Sequence, residues 1–350
     1  MTEGKEFKVN NFDLLRLLAA TQVIVDHYFQ HLNIKITDLS TKFLYLFPGV
    51  PVFFVISGYL ISASFERNDN LKNYFRNRAL RILPGLWGCI FITVIVIALT
   101  GTSFFNKQTI VWLPSQLIGI IYTPGFLSNY GFGSYNGSLW TIPIELQFYI
   151  ILPVCYFLIP KNKRNYGFYG LLIVFILLNF WYALGNLNPL MTKLLRYSFI
   201  PHFYLFLAGV VLQRIQVYKS TIIYNKALYW IAGYLLFCFI FSDLVNLPVF
   251  LIIKNLLLAP CIISMAYTLP TAALKLLRTN DISYGIYIYH GLILTVMVQE
   301  KMTQFENIYL IIGLTYIVAY LSWIFIEKPL IRKKVKTIRV IYTSSPSPGI

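Results

Sequence analysis

The sequence predicts an all-α integral membrane protein with about ten transmembrane helices and both termini in the cytoplasm. Of its 350 residues, 57% are apolar and only 12% are charged, whereas a soluble chain is roughly 25% charged. Mean hydropathy is +0.66. The net charge is +16, but the basic residues lie between apolar stretches. That arrangement is typical of membrane proteins and argues against a nucleic-acid partner.

A membrane-spanning helix needs about 20 mostly apolar residues. Ten stretches meet this requirement: residues 12–32, 43–65, 79–101, 140–159, 167–184, 197–215, 227–243, 249–269, 284–300 and 308–327. The stretch 110–125 is also apolar, but Pro114, Gly119 and Pro124 interrupt it. We therefore expect a re-entrant or interfacial segment there.

The distribution of Lys and Arg predicts the orientation of the spans. Every second loop is rich in basic residues, for example residues 67–81 and 328–339, and the loops between them are poorer. Basic loops stay in the cytoplasm. The chain is thus predicted to divide into a cytoplasmic segment 1–11, a membrane domain 12–332 and a tail 333–350, which is basic and then Ser/Pro-rich.

Six ionisable side chains within the apolar spans are singled out as candidate functional sites, because an ionisable group is costly there. They are Arg16, Asp26, His27, Glu145, His202 and His290. Arg16 and His27 are eleven residues apart, which at about 100° per residue places them within roughly 20° on one helix face. This spacing predicts a polar track that runs inward from the cytoplasm. The alternative is that His27 bonds a neighbouring helix while Arg16 snorkels to the headgroups.

Arg78 and Arg81 are three residues apart and hence neighbours on one face at the start of the third span. Two guanidinium groups at a membrane mouth suit a polyphosphate ligand, because each offers a planar fork of donors. Basic residues at cytoplasmic helix ends are also expected from topology alone.

The remaining polar residues have less distinctive surroundings. Glu145 needs a partner if it is buried, and a histidine or arginine of another span would serve. His290 is open to a structural or a functional role, whereas His31 and His202 are expected to be interfacial or to bond helices. Ser57 lies among small residues that allow helices to approach closely. The four cysteines are expected to be small buried hydrophobes, and no metal site is indicated.

Several separated motifs together resemble the acyltransferase-3 family of membrane proteins. They are Arg16 with His27, the segment 53–61 (FFVISGYLI), 78–84 (RALRILP), 138–149 (SLWTIPIELQFY), 282–290 (ISYGIYIYH) and 325–329 (FIEKP). The resemblance covers about residues 11–332. The family often has two adjacent acids where Ile144-Glu145 stands here, so only Glu145 corresponds.

The resemblance implies transfer of an acyl group, usually acetyl from acetyl-CoA, to a hydroxyl of a bacterial surface or secreted glycan. It also implies that His27 is catalytic and that Arg16, Arg78 and Arg81 help to hold the donor. No resident cofactor is expected; the partners are acyl-CoA, a glycan or lipid-linked saccharide, and the bilayer of a bacterial cell membrane.

Acyl transfer to a hydroxyl needs a base with a pKa near neutrality, which histidine supplies. We expect Asp26 or Glu145 to orient the His27 imidazole, and we assign His290 to the donor site. The rival functions are a transporter or flippase of a glycan or lipid precursor, which also needs many spans and intramembrane charge, and a scaffold without turnover. A third possibility passes the acyl group across the membrane to a separate transferase.

Overall fold

The computed structural model describes residues 9–32, 34, 44–185, 187–244, 247–278, 280–302 and 307–334. Most of the predicted cytoplasmic segment 1–11, and the predicted tail beyond residue 334, lie outside these ranges.

The described residues form helices joined by turns, without a strand. The helices are α1 Phe12–His31, α2 Gly49–Arg67, α3 Leu71–Leu99, α4 Lys107–Leu117, α5 Thr141–Leu158, α6 Arg164–Leu184, α7 Pro189–Arg196, α8 Phe203–Arg214, α9 Ala227–Ile240, α10 Pro248–Ala266, α11 Ala272–Leu277, α12 Ser283–Gln299, α13 Ile308–Ser322 and α14 Lys328–Ile331. A π-helical turn, Trp323–Glu327, joins α13 to α14. Short 3₁₀ turns lie at Gly125–Leu127, Gly137–Trp140, Lys161–Lys163, Val217–Lys219 and Ser242–Leu244.

Six of the described helical segments are long and apolar enough to cross a membrane: α2, α3, α5, α6, α10 and α13, three of them extended by the turns beside them. The prediction of an all-α, multi-pass membrane protein is confirmed at that level. Helix α1 has 20 residues but carries three charges, and α8, α9 and α12 have only 12, 14 and 17 residues. Ten crossings and the cytoplasmic termini remain predictions.

The predicted span 197–215 was wrong at its start. Helix α8 begins at Phe203, and residues 189–196 form the separate helix α7. Pro201 explains the break, because proline lacks an N–H and disfavours helical geometry in the residue before it.

The surface of α6 shows how the molecule meets its surroundings. Ile173, Val174, Leu177 and Trp181 are all exposed, and few residues of this helix are buried. A helix face made of several exposed apolar side chains is unfavourable in water and fits contact with lipid.

Helices α2 and α8 approach each other closely, so that their backbones are almost in contact. A Cβ added to Gly58 would lie 1.9 Å from the Phe206 carbonyl oxygen, and one added to Gly209 would lie 2.1 Å from that of Val55. Ser62 hydrogen-bonds Tyr156 and Gln213 across this region, each at 2.7 Å. The prediction that the small residues near Ser57 serve helix packing is confirmed for Gly58.

The interrupted apolar stretch 110–125 does not form a full span. Helix α4 covers 11 residues, about 16 Å at 1.5 Å per residue, and Gly119 follows it with a φ of +84°. Farther along, Asn136 donates a 2.8 Å hydrogen bond to the Ile288 carbonyl oxygen in the middle of α12. The segment before α5 therefore folds inward against α12.

Candidate active site

A cavity of about 330 Å³ lies among α1, α2, α3, α5 and the start of α12. We call it the basic pocket, because five basic side chains line it against two carboxylates. The basic residues are Arg16, Arg67, Arg78, Arg81 and Lys334, and the acids are Glu145 and Asp281. Three of the sequence-predicted donor residues, Arg16, Arg78 and Arg81, are thus brought together from two helices.

Asp281 holds two of these arginines in place. Its Oδ2 lies 2.6 Å from Arg81 Nη2 and 3.2 Å from Arg16 Nη2, and its Oδ1 accepts a 2.5 Å hydrogen bond from the Ser283 hydroxyl. Burial alone would raise the pKa of this carboxyl, but the charges of Arg16 and Arg81 hold it well below its usual range. Asp281 is therefore ionised at neutral pH and bridges α1, α3 and the turn before α12.

Arg78 packs against two tyrosine rings, of which Tyr149 also lines the pocket. Its guanidinium carbon lies 5.9 Å from the ring centroid of Tyr74 and 5.8 Å from that of Tyr149, which are cation–π distances. Glu145 accepts a hydrogen bond from the Tyr149 hydroxyl. The carboxylate predicted on α5 thus lies among the arginines of the pocket.

The pocket keeps hydrogen-bonding capacity that the described residues do not satisfy. The Nε atoms of Arg16 and Arg78 are buried without a hydrogen-bond partner among them. Burial and the charges of Arg81, Arg78 and Arg16 lower the pKa of Lys334 to about 7. Both features indicate a site that an anion would complete.

A second cluster pairs the two histidines of α1 and α12. His27 Nδ1 lies 3.0 Å from His290 Nε2, and His290 Nδ1 lies 3.1 Å from the Ile286 carbonyl oxygen. His290 is fully buried, whereas His27 is half-buried. His290 thus lies against His27, and neither residue lines the basic pocket.

Tyr287 connects the basic pocket with the histidine pair. Its side chain lines the pocket, its ring centroid lies 5.9 Å from that of His290, and its hydroxyl accepts a 2.8 Å hydrogen bond from Thr141. Arg16 contacts Asp281 just before α12, and His27 contacts His290 within it. Both side chains of α1 therefore face the same helix, as their eleven-residue spacing predicts.

Asp26, His31 and His202 take no part in the hydrogen bond between His27 and His290. Asp26 accepts a 2.8 Å hydrogen bond from Gln30 on its own helix. The His31 ring stacks on Phe132 at 3.8 Å, beside the His27 ring at 5.1 Å. His202 Nε2 bonds the Arg196 carbonyl oxygen at 3.2 Å, which confirms the prediction of a helix-bonding role.

Asp281, Tyr287 and Lys334 were not among the predicted site residues. Asp281 follows Lys275 and Arg278 in a predicted basic loop, and its position as the acid next to the 282–290 motif is the signal that could have identified it. Tyr287 is one of several tyrosines in α12, and Lys334 is one of many basic residues after the last span. Only the three-dimensional structure shows that these two residues line the basic pocket.

A model of the acyltransferase-3 family, described as an acyltransferase domain, matches residues 9–327. The chain belongs to the acyltransferase-3 family. The motifs at Arg16, Arg78 and His27 therefore belong to an acyltransferase domain that occupies nearly the whole chain.

Three relatives of this acyltransferase extend over most of its length. Nodulation protein 10 of Rhizobium leguminosarum biovar viciae is 30% identical, covering 94% of this chain and 95% of the relative. The O-acetyl transferase of Shigella phage Sf6 is 25% identical over 92% and 96%. Peptidoglycan O-acetyltransferase OatA of Listeria monocytogenes is 27% identical over 92% of this chain but only 56% of its own length. No solved structure matches the acyltransferase significantly.

Proposed function

We propose that this acyltransferase moves an acetyl group from acetyl-CoA to a hydroxyl of a cell-surface glycan or lipid-linked saccharide, with His27 as the general base. The observation that carries the proposal is the basic pocket, which adjoins the His27–His290 pair through the side chain of Tyr287.

The pocket has the chemistry of a polyphosphate site. Five basic side chains outnumber two carboxylates, and the buried Nε donors of Arg16 and Arg78 have no partner among the described residues. Guanidinium groups bind phosphate oxygens through planar forks of N–H donors. The diphosphate of CoA would occupy Arg16, Arg78 and Arg81, and the thioester would extend past Tyr287 toward His27.

The chemical step then needs one base. The acceptor hydroxyl gives its proton to His27 as its oxygen attacks the thioester carbonyl carbon. The carbon–sulfur bond breaks, and the leaving thiolate takes the proton back from the imidazolium. The step begins and ends with a neutral His27, which suits a group enclosed by apolar helices.

The choice of acetyl and of a glycan rests on the relatives. One of the three is named an O-acetyl transferase and another a peptidoglycan O-acetyltransferase. The third has a name that states no substrate. The family match favours catalysis over the rival transporter or flippase, because an acyltransferase domain covers nearly all of the chain.

Glu145 belongs to the donor site in this proposal. It lies among Arg16, Arg78 and Arg81 and accepts a hydrogen bond from Tyr149, so its charge balances the guanidinium groups. Asp26 is bonded to Gln30, and the orientation of His27 is left to His290.

Mass spectrometry of the surface glycan from a deletion strain tests the proposal. Complementation with the wild-type gene should restore O-acetyl groups, and an equally expressed His27→Ala variant should not. A flippase would instead change the amount or length of the glycan and leave its acetylation untouched. Restored acetylation by the His27→Ala variant would refute the proposed base.

A further inference from the structure

The hydrogen bonds of His290 fix where its proton lies. The Ile286 carbonyl oxygen, 3.1 Å from Nδ1, can only accept a hydrogen bond. Nδ1 of His290 therefore carries a hydrogen, and in a neutral imidazole the other nitrogen, Nε2, then has the lone pair. A cationic His290 would place a charge in the core, where its hydrogen-bond partners are the Ile286 carbonyl oxygen and the His27 imidazole. Neither partner carries a negative charge, so the cationic form is strongly disfavoured.

The proton position of His27 follows from that of His290. Nε2 of His290 is an acceptor, and it lies 3.0 Å from Nδ1 of His27. Nδ1 of His27 must therefore donate the hydrogen bond. In neutral His27 the lone pair is then on Nε2, which leaves that nitrogen free to take a proton.

We infer that His290 is a positioning residue that fixes the tautomer and the ring orientation of His27, so that Nε2 of His27 is the basic atom. This inference rests on the proposed role of His27. It deepens that role by naming the reacting nitrogen and the group that presents it.

The arrangement follows the general logic of an oriented base, in which a third group holds the imidazole. The orienting group here is a fully buried neutral imidazole, whereas His27, the residue that it orients, is only half-buried. During the reaction the acceptor O–H proton moves to His27 Nε2, and the hydrogen on Nδ1 stays in its bond to His290. That bond becomes charge-assisted and therefore stronger when His27 is an imidazolium.

The backbone explains how His290 reaches this geometry. Ile286 lies four residues before His290 in α12, so its carbonyl oxygen is one helical turn away on the same face. Tyr287 packs beside the His290 ring at 5.9 Å. Two groups of α12, the Ile286 carbonyl oxygen and the Tyr287 ring, thus hold the His290 ring in the position where it contacts His27 of α1.

Three substitutions of His290 separate this role from simple packing. His290→Leu removes both nitrogens. His290→Gln places an amide oxygen near the position of Nε2, where it can accept from His27 Nδ1. His290→Asn can keep a bond to the Ile286 carbonyl oxygen but is too short to reach His27. Each purified variant is assayed for acetyl transfer, with kcat and the KM for acetyl-CoA measured separately.

We expect kcat to fall about 100-fold in the Leu and Asn variants, at the low end of what general-base catalysis contributes. The KM for acetyl-CoA should stay within about twofold, because His290 does not line the basic pocket. The Gln variant should recover kcat to within about tenfold of wild type. Adding His290→Asn to His27→Ala should cost nothing further, because residues that act as a unit are not additive.

The outcomes for the two roles are distinguishable. If His27→Ala abolishes transfer while His290→Asn retains wild-type kcat, the inference is wrong and the proposed function stands. Equal kcat in the Gln and Asn variants would also overturn it, since only Gln is long enough to accept a hydrogen bond from His27 Nδ1. Transfer by His27→Ala itself would remove the proposed function. The comparison of Gln with Asn decides the question even if the Leu variant fails to fold.

Discussion

Asp281 joins three parts of the membrane domain through one carboxylate. It pairs with Arg81 of α3 and Arg16 of α1 and accepts a hydrogen bond from Ser283 at the start of α12. A carboxylate with a depressed pKa stabilises the fold above its unfolded pKa of about 4. This contribution to stability is lost only as the pH falls through the lower pKa that Asp281 has in the folded protein. The clamp is therefore intact throughout the neutral range.

Asp281→Asn should destabilise the ligand-free protein by about 3 kcal/mol, because Arg81 loses its ion-pair partner and Arg16 keeps only Asp13. CoA should restore much of the lost thermal stability, since its phosphates replace the missing anion. The matched control is Asp13→Asn, which also removes a partner of Arg16 but at a more exposed site and should change little. Equal melting temperatures for the two variants, without CoA, would contradict the clamp.

Lys334 should take up a proton when the donor binds. The pKa of this lysine is lowered to about 7 by burial and by Arg81, Arg78 and Arg16, so it is largely neutral at pH 8. Bound phosphates raise the pKa and favour the charged form. Calorimetry of CoA binding at pH 8 in buffers of different ionisation enthalpy measures this uptake.

The control for Lys334→Met is Lys333→Met, because Lys333 is the adjacent residue and is exposed. Proton uptake should disappear in the Lys334 variant and persist in the Lys333 variant. Identical uptake in wild type and the Lys334 variant would place the titrating group elsewhere.

Helical periodicity explains which site residues the sequence could predict. It relates Arg16 to His27 and Arg78 to Arg81, because each pair lies on a single helix. Asp281 contacts Arg81 across 200 positions of sequence, and no local pattern encodes that distance. For the same reason, the sequence could not predict that His290 contacts His27.

At the level of the helices, the fold depends on how long each helix is and on which helices contact one another. Hydropathy predicts that a segment is apolar, and the long helices α2, α3, α10 and α13 follow that prediction. It does not predict where backbone geometry interrupts an apolar run, as Pro201 does before α8. The contact of α2 with α8 was foreseen only as a general consequence of small residues.

Gly58→Ala should strongly reduce the yield and thermal stability of the folded protein. Its methyl group would lie 1.9 Å from the Phe206 carbonyl oxygen, so α2 and α8 would have to separate, and overpacking of this kind costs about 1–3 kcal/mol. Size-exclusion chromatography with a thermal ramp measures the effect.

Gly170→Ala is the matched control, because Gly170 also lies in a helix, α6, and has no atom within 4 Å of the added methyl group. It should be neutral or slightly stabilising, since alanine favours helix over glycine. Equal loss in both variants would mean that close approach of α2 and α8 is not required.

At the scale of the whole molecule, two chemically different clusters, the basic pocket and the imidazole pair, lie on either side of Tyr287. The basic pocket gathers charge from α1, α2, α3, α5 and the segment after α14, and the imidazole pair is held between α1 and α12. Helix α1 contributes to both through Arg16 and His27. This separation predicts that donor binding and chemistry can be lost independently.

The most direct measurement is made on purified His27→Ala protein: acetyl transfer from radiolabelled acetyl-CoA to glycan, together with the Kd for CoA. Because His27 lies outside the basic pocket, we expect CoA to bind with the wild-type Kd while transfer falls to background. Transfer at the wild-type rate by this variant would contradict the account.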